Sequence, residues 1–168
     1  MKLRLDALGK WDCEVVREWR NAEPQFLRTP YKLTKEMQEG FYDNVVCNRN
    51  SNHRYFAIRD EFSFVGMGGL TNIEWENGCC EISLILDPKS RGKGYGGRSV
   101  DLLLDYAFGS LRMENVYGEV YACGNHEFWK HVVEVKNGYW TTLRGRKFFD
   151  GKMWDSYWFS IGREKWSA

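Results

Sequence analysis

The stretch RGKGYGG, residues 91–97, places four glycines within seven residues, between a strand-like pattern and the start of a helix-like pattern. Glycine lets the backbone approach a phosphate without a Cβ in the way, and the N–H groups at a helix start stabilise negative charge. The stretch fits two phosphate-binding patterns at once, G-x-G-x-x-G and the shorter R/Q-x-x-G-x-G/A. Both bring backbone N–H groups against phosphate, so the surrounding elements must decide which fold carries the loop.

Hydrophobic periodicity gives the order of the elements around this loop. Alternating apolar residues predict strands at 2–6, 54–59, 62–71, 79–87 and 116–122, with a final hairpin about Asp150-Gly151. Apolar residues at helical spacing predict helices that begin at the N-caps Asp12 and Thr34, after the glycine loop and at 126–136. The order is therefore strand, two helices, three strands, loop, helix, strand, helix and two strands.

This order argues against a dinucleotide-binding fold, which places its glycine loop after the first strand of a repeated βαβ series. Here a meander of strands precedes the loop and a hairpin closes the chain. A P-loop is excluded because no Ser or Thr follows a Gly-Lys pair. Residues 1–168 are predicted to form a single domain of α+β architecture, with a mixed, mostly antiparallel sheet flanked by helices.

Charge and cysteine content limit the classes of partner. The chain has 24 Lys and Arg against 23 Asp and Glu, without the basic excess typical of nucleic-acid-binding proteins. The first residues show no apolar signal region, and no apolar run reaches the length of a membrane span. Five cysteines without a C-x-x-C pair, and His126 and His131 five positions apart, do not fit a zinc site. We expect a cytoplasmic protein with no metal, nucleic-acid or membrane partner.

The block ISLILDPKSRGKGYGGRSVDLLLDYAF, residues 82–108, resembles the acetyl-CoA-binding motif of the GNAT N-acetyltransferase superfamily. Further segments are similar to its RimJ/RimL-like branch, namely EVVREWRN at 14–21, FVGMGGLTNI at 64–73, ENGCCEISLILDP at 76–88 and DSYWFSI near the end. The resemblance covers nearly the full length. It implies a GNAT (acyl-CoA N-acyltransferase) fold, acetyl-CoA as co-substrate and transfer of the acetyl group to a primary amine.

The resemblance also implies where the co-substrate binds. The pyrophosphate would lie on the glycine loop, and the pantetheine arm would pair with the preceding strand as an extra strand, in a gap between strands 79–87 and 116–122. The residues expected to bind it are Leu84, Ile85, Leu86, Arg91, Gly92, Lys93, Gly94, Tyr95, Gly96, Gly97 and Asn125.

Acetyl transfer needs a base for the ammonium, donors for the oxyanion and an acid for the departing thiolate. Glu81 and Glu119 are the candidate bases, and each is equally a solvent-facing strand residue or a member of an ion pair. A backbone N–H within 84–86 is the candidate oxyanion donor. Trp129 stands near the place where relatives carry an acidic Tyr. The acid is therefore open between water and the hydroxyls of Tyr117, Tyr121 and Tyr139.

The acceptor is the least constrained part of the prediction. We place small amines and amino sugars ahead of protein N-termini, with the aromatic segment 26–41 covering the acceptor side. Arg28, Lys32 and Arg54 are candidates to hold an anionic acceptor such as a nucleotide sugar. The alternative function is a regulatory module that binds acyl-CoA without turnover, which Trp129 favours. The expected partners are acetyl-CoA and an amine, with the chain as a monomer or homodimer.

Overall fold

The computed structural model describes residues 2–28 and 31–166. Within them, seven strands form one sheet in the spatial order β1-β2-β3-β4-β5-β7-β6. The strands are β1 (Arg4–Ala7), β2 (Arg54–Arg59), β3 (Phe64–Glu74), β4 (Cys79–Leu86), β5 (Asn115–Tyr121), β6 (Tyr139–Phe149) and β7 (Lys152–Gly162). Among these strands only the β4–β5 pair is parallel. The predicted α+β architecture with a mixed, mostly antiparallel sheet is confirmed.

Helices cover both faces of this sheet. They are α1 (Lys10–Ala22), α2 (Lys35–Phe41), α3 (Tyr95–Asp105), α4 (His126–Val135) and α5 (Arg163–Trp166). Ala57 of β2 packs in the cluster beneath α1, whereas the next residue, Ile58, packs beside Tyr95 at the start of α3. Successive strand residues point to opposite faces, so α1 and α3 lie on opposite sides of the sheet. No helix among the described residues is long and apolar enough to cross a membrane.

Of the two predicted N-caps, the one for α2 is confirmed and the one for α1 is wrong. Thr34 caps α2, its Oγ1 accepting a hydrogen bond from the Met37 N–H at 3.2 Å. Asp12 was expected to be the N-cap of α1, but the helix begins at Lys10 and Gly9 is its N-cap. The Asp12 carboxylate instead accepts from the Gly9 N–H at 2.9 Å and from Arg59 at 2.8 Å. A carboxylate can satisfy a helix start from the third helical position as well as from the cap.

Asp60 ties the turn between β2 and β3 to the start of α3. Its Oδ1 accepts from the N–H groups of Phe62 and Ser63 and from the Ser63 hydroxyl, and its Oδ2 accepts from the Tyr95 hydroxyl at 2.8 Å. These bonds, with the Phe62 N–H first, lower the pKa of Asp60 to about 2. The glycine loop that precedes Tyr95 is therefore anchored to the sheet through a carboxylate.

Replacing Asp60 with Asn should lower the melting temperature and flatten its dependence on pH in acid. The carboxyl of an unfolded Asp has a pKa of about 3.9. With a folded pKa of about 2, the carboxylate's contribution is complete above the unfolded pKa and is lost as pH falls through the folded pKa. Thermal melts at stepped pH values test this, with Asp150→Asn in the exposed β6–β7 turn as the matched control. An acid slope equal to that of the wild type would contradict the assignment.

Candidate functional site

Strands β4 and β5 part in the middle of the sheet and leave a cleft. They pair only from Cys79 with Asn115 to Glu81 with Tyr117, and the rest of β4 runs on without β5 beside it. The cleft that opens there has a volume of about 710 Å³ and is lined by Leu84, Ile85 and Leu86 among others. The gap expected between these two strands is present, and backbone groups of 84–86 face it on the side away from β3.

The glycine loop forms one end of this cleft. Gly94 is the N-cap of α3 with φ of 78°, a left-handed conformation that L side chains rarely adopt. A Cβ at Gly96 would stand 2.8 Å from the Phe128 ring, so only glycine lets α3 and α4 approach this closely. The four loop glycines all line the cleft. The loop and the start of an 11-residue helix thus present N–H groups to any anion at this end.

The other predicted cofactor residues occupy different positions around the loop. Arg91 lines the cleft, but its guanidinium is paired with the Glu23 carboxylate at 2.5–2.6 Å and lies 5.4 Å from the centre of the Phe26 ring. Asn125 lines the cleft at the start of α4, where its side chain makes no capping bond. The Lys93 side chain is exposed, outside the cleft lining. The Tyr95 ring is buried against β2 and β3, so only its backbone lies near the loop.

At the fork of β4 and β5, two carboxylates lie on the same face of the sheet. The Glu81 side chain is 10% exposed and the Glu119 side chain 13% exposed. Both line the cleft, and the Arg28 guanidinium lies between them. We call this end of the cleft, formed by Glu81 and Glu119, the carboxylate pole. The structure therefore brings together the two candidate bases that the sequence left as alternatives.

A bulge in β3 holds Glu81 in place. Thr71 pairs with Glu81 and Glu74 with Cys79, so two residues of β3 stand opposite Cys80 alone. Asn72, one of the two, takes a left-handed φ of 47°. Its Nδ2 then donates to the Glu81 carboxylate at 2.8 Å. Bulges re-aim side chains beside functional sites, and Asn tolerates this conformation better than most residues.

His53 is a cleft residue that the sequence interpretation missed. Its Nδ1 accepts a hydrogen bond from the Asn72 N–H at 3.1 Å, which places the proton of the neutral ring on Nε2. Burial, followed by the Arg54 charge, lowers the pKa of His53. The ring is therefore a neutral donor in the cleft. A single histidine at the start of a strand carries no periodic signal that would have singled it out.

Of the three predicted tyrosine acids, Tyr121 alone lines the cleft. Burial, with the Glu119 charge second, raises the pKa of Tyr121, so its hydroxyl stays protonated at neutral pH. Tyr117 stacks on Trp158 with ring centres 6.0 Å apart, and Tyr139 is 60% exposed on the edge strand. Trp129 is buried at the cleft floor and has no hydroxyl to offer.

Lys147 anchors the segment that carries Arg28. Its ammonium donates to the carbonyl oxygens of Pro24, Gln25 and Leu27 at 3.1, 2.8 and 2.5 Å. Three N–H donors thus meet three acceptors, and the Tyr121 ring lies 4.6 Å below the nitrogen. The bulge in β6 at 144–146 sets the position of Lys147. Nothing in the local sequence pattern indicated this contact.

Comparison with known proteins identifies the family to which this site belongs. The acetyltransferase (GNAT) domain model matches residues 2–129. The chain belongs to the GNAT family. Membership of this family confirms two predictions, namely that the chain is an acetyl-CoA-dependent N-acetyltransferase and that acetyl-CoA is its co-substrate.

Individual relatives and structures agree with this family. Spermidine N(1)-acetyltransferase of Vibrio cholerae is 25% identical over 120 residues, which cover 69% of this chain and 68% of that protein. A second N-acetyltransferase, from Bacillus licheniformis, is 26% identical over 110 residues, 66% of this chain and 60% of its own length. The Vibrio cholerae spermidine N-acetyltransferase solved in complex with CoA and spermine superposes with a TM-score of 0.88 at 22% identity, covering 99% of this chain and 98% of that one. This similarity confirms the GNAT fold.

Gly94→Asp should weaken acetyl-CoA binding by about tenfold relative to Gly94→Asn. Asp and Asn are equal in size and both tolerate the left-handed backbone, so the pair isolates one negative charge beside the expected pyrophosphate site. Titration calorimetry with acetyl-CoA measures the difference. Gly109→Asp adds the same charge beyond the far end of α3, where open space receives it. Equal affinities for the two Gly94 variants would place the pyrophosphate elsewhere.

Lys147→Met should lower the free energy of unfolding by roughly 1–3 kcal/mol, because three carbonyl groups lose their donor. Urea unfolding followed by tryptophan fluorescence measures the change. Lys130→Met on the exposed face of α4 is the control, since Lys130 has no such anchoring role. Equal losses in the two variants would show that the three hydrogen bonds contribute nothing to stability.

Proposed function

We propose that the chain transfers the acetyl group of acetyl-CoA to a primary amine of a small aliphatic polyamine. The observation that carries this proposal is the carboxylate pole, where two largely buried carboxylates share one face of the cleft. Buried carboxylates stabilise cations strongly, and an alkylammonium is the charged form of such an acceptor. The Vibrio cholerae relative is named for spermidine, which belongs to the same chemical class.

The cleft suits the two parts of the co-substrate that the loop and the strand were expected to bind. Gly92, Gly94, Gly96 and Gly97 surround the anion-binding end, and the close packing at Gly96 leaves no room for a side chain in the cradle. The unpaired edge of 84–86 offers backbone donors and acceptors to an amide-bearing arm. Acetyl-CoA supplies the reactive thioester when bound. The Asn125 side chain makes no capping hydrogen bond, and it adds a polar contact at the loop end.

In this proposal Glu81 acts on the acceptor and Tyr121 on the leaving group. Glu81 removes a proton from the acceptor ammonium, directly or through a water, which frees the nitrogen lone pair. As the C–N bond forms, a backbone N–H within 84–86 donates to the developing oxyanion. As the oxyanion collapses and the C–S bond breaks, Tyr121 gives its proton to the thiolate. The second proton of the nitrogen passes to solvent, which restores the Tyr121 hydroxyl. Glu119 stabilises the cationic acceptor beside Glu81.

Two other hypotheses about the function are each supported by a specific observation. The segments similar to the RimJ/RimL-like branch leave protein N-termini as a second class of acceptor, and amino sugars remain within the small amines. The buried indole of Trp129 favours a regulatory module that binds acyl-CoA without turnover, because an indole N–H is a poor proton donor. Thiol release over a panel of amines separates these readings from polyamine acetylation.

In a thiol-release assay with acetyl-CoA, we expect spermidine to be a better acceptor than glucosamine or a peptide with a free N-terminus. Glu81→Gln should lower kcat/KM by roughly 10²–10⁴-fold, the range for loss of a general base. Its affinity for acetyl-CoA should not change.

The matched control is Glu76→Gln in the exposed β3–β4 turn. Acetyl-CoA binding without thiol release on any amine would identify the regulatory module. Turnover of glucosamine or the peptide in preference to spermidine would replace the proposed acceptor. Full activity in Glu81→Gln would remove Glu81 from the mechanism.

A further inference from the structure

Arg28 lies where a cationic acceptor would be expected. Its guanidinium donates to both carboxylate oxygens of Glu81. The same guanidinium lies 3.7 Å from the Glu119 carboxylate. Glu119 also accepts from Ser156 at 2.5 Å and from Arg146 at 3.4 Å. The cation between the two carboxylates is thus a side chain of the protein itself.

This arrangement argues against the anion-binding role that the sequence suggested for Arg28. An arginine that recognises an anionic acceptor must turn free N–H donors toward it. The donors of Arg28 instead face Glu81, and Glu119 lies on the other side. A nucleotide sugar arriving at the carboxylate pole would meet two carboxylates as well as one guanidinium. The local charge therefore favours an acceptor of positive charge.

The side chain of Arg28 is free to leave, although its backbone is held. Lys147 fixes the carbonyl groups of Pro24, Gln25 and Leu27, directly before Arg28. The Arg28 side chain is 54% exposed, whereas the Glu81 side chain is 10% exposed. A half-exposed guanidinium regains its hydration when it turns into water, so the cost of its departure falls on the buried carboxylates, which then need another cation. The buried carboxylates cannot follow it, since they belong to strands of the sheet.

We propose that Arg28 occupies an alkylammonium subsite between Glu81 and Glu119 and is displaced by the cationic acceptor. The inference rests on the proposed function and deepens it, because it makes Arg28 a determinant of acceptor specificity. An ammonium that replaces the guanidinium preserves the charge balance of the site. A neutral or anionic acceptor leaves Arg28 in place, and Glu81 then stays engaged and does not act as a base. Arg28 in this way couples the charge of the acceptor to the availability of Glu81.

Binding of an unreactive dication tests the subsite without any chemistry. N,N,N′,N′-tetramethyl-1,4-butanediamine carries two ammonium groups at neutral pH and has no N–H that can be acetylated in its neutral form. Titration calorimetry should show that Arg28→Gln binds this probe about tenfold more tightly than the wild type, because the internal competitor is gone. Arg28→Lys, which keeps the positive charge, should stay close to the wild type. The gain should shrink as salt is raised, because salt screens the partly exposed site.

Controls separate this result from general effects of charge and from folding. Arg49→Gln removes one exposed positive charge in the turn before β2 and should leave the affinity for the probe unchanged. Circular dichroism and thermal melts establish that each variant is folded. If Arg28→Gln melts early, the comparison of Glu81→Gln with the wild type still decides. Glu81→Gln should bind the probe more weakly if the subsite is real.

Equal or weaker binding of the probe by folded Arg28→Gln would overturn the inference. So would unchanged binding by Glu81→Gln. The outcome is distinct from that of the proposed function, since the probe is never turned over. Tighter binding by Arg28→Gln together with no acetylation of spermidine would retain the ammonium subsite and reject the polyamine as substrate. Acetylation of spermidine with no effect of Arg28 on the probe would do the reverse.

Discussion

The parting of β4 from β5 beyond Glu81 and Tyr117 is the constraint on which the rest of the site depends. Each strand stays paired on its outer side, β4 with β3 and β5 with β7, so neither can swing across to close the gap. Aromatic rings fill the base of the gap. The ring centre of Trp129 lies 5.0 Å from that of Phe159, on which it stacks, and 5.3 Å from that of Phe128. The same break exposes backbone groups of β4 and sets the two carboxylates at its apex. One irregularity of the sheet thus creates both the free β4 edge and the carboxylate pole.

Features encoded by local pattern could be predicted from the sequence. The glycine loop, the helix after it and the closing hairpin follow from turn residues and periodicity over a few positions. Features that depend on register could not. Asn72 reaches Glu81 only because β3 bulges against β4, and bulges leave no periodic trace in one strand. Lys147 contacts Leu27 across 120 residues of sequence, and His53 has meaning only beside Asn72. The wrong prediction at Asp12 has a different cause. The same local pattern fits a carboxylate at the N-cap and a carboxylate at the third helical position.

Electrostatic balance explains how the protein keeps two carboxylates in a largely dry place. Isolated buried charges are costly, whereas paired and hydrogen-bonded ones are tolerated. Asn72 and Arg28 serve Glu81, and Ser156 and Arg146 serve Glu119. Two of these four partners are half-exposed arginines, which water can solvate if they leave. The neutral partners are fixed within strands. The site therefore keeps its neutral hydrogen-bond donors in fixed positions, whereas its cationic partners can be replaced.

The Lys147 contact also has a consequence for how the molecule is made. Every residue assigned to acetyl-CoA precedes position 126, whereas Arg146, Lys147 and Ser156 come from the closing hairpin. A ribosome therefore completes the co-substrate half of the cleft before the residues that brace the carboxylate pole have emerged. The same division means that mutation in the closing hairpin can alter the support of the carboxylate pole while the residues assigned to acetyl-CoA stay unchanged.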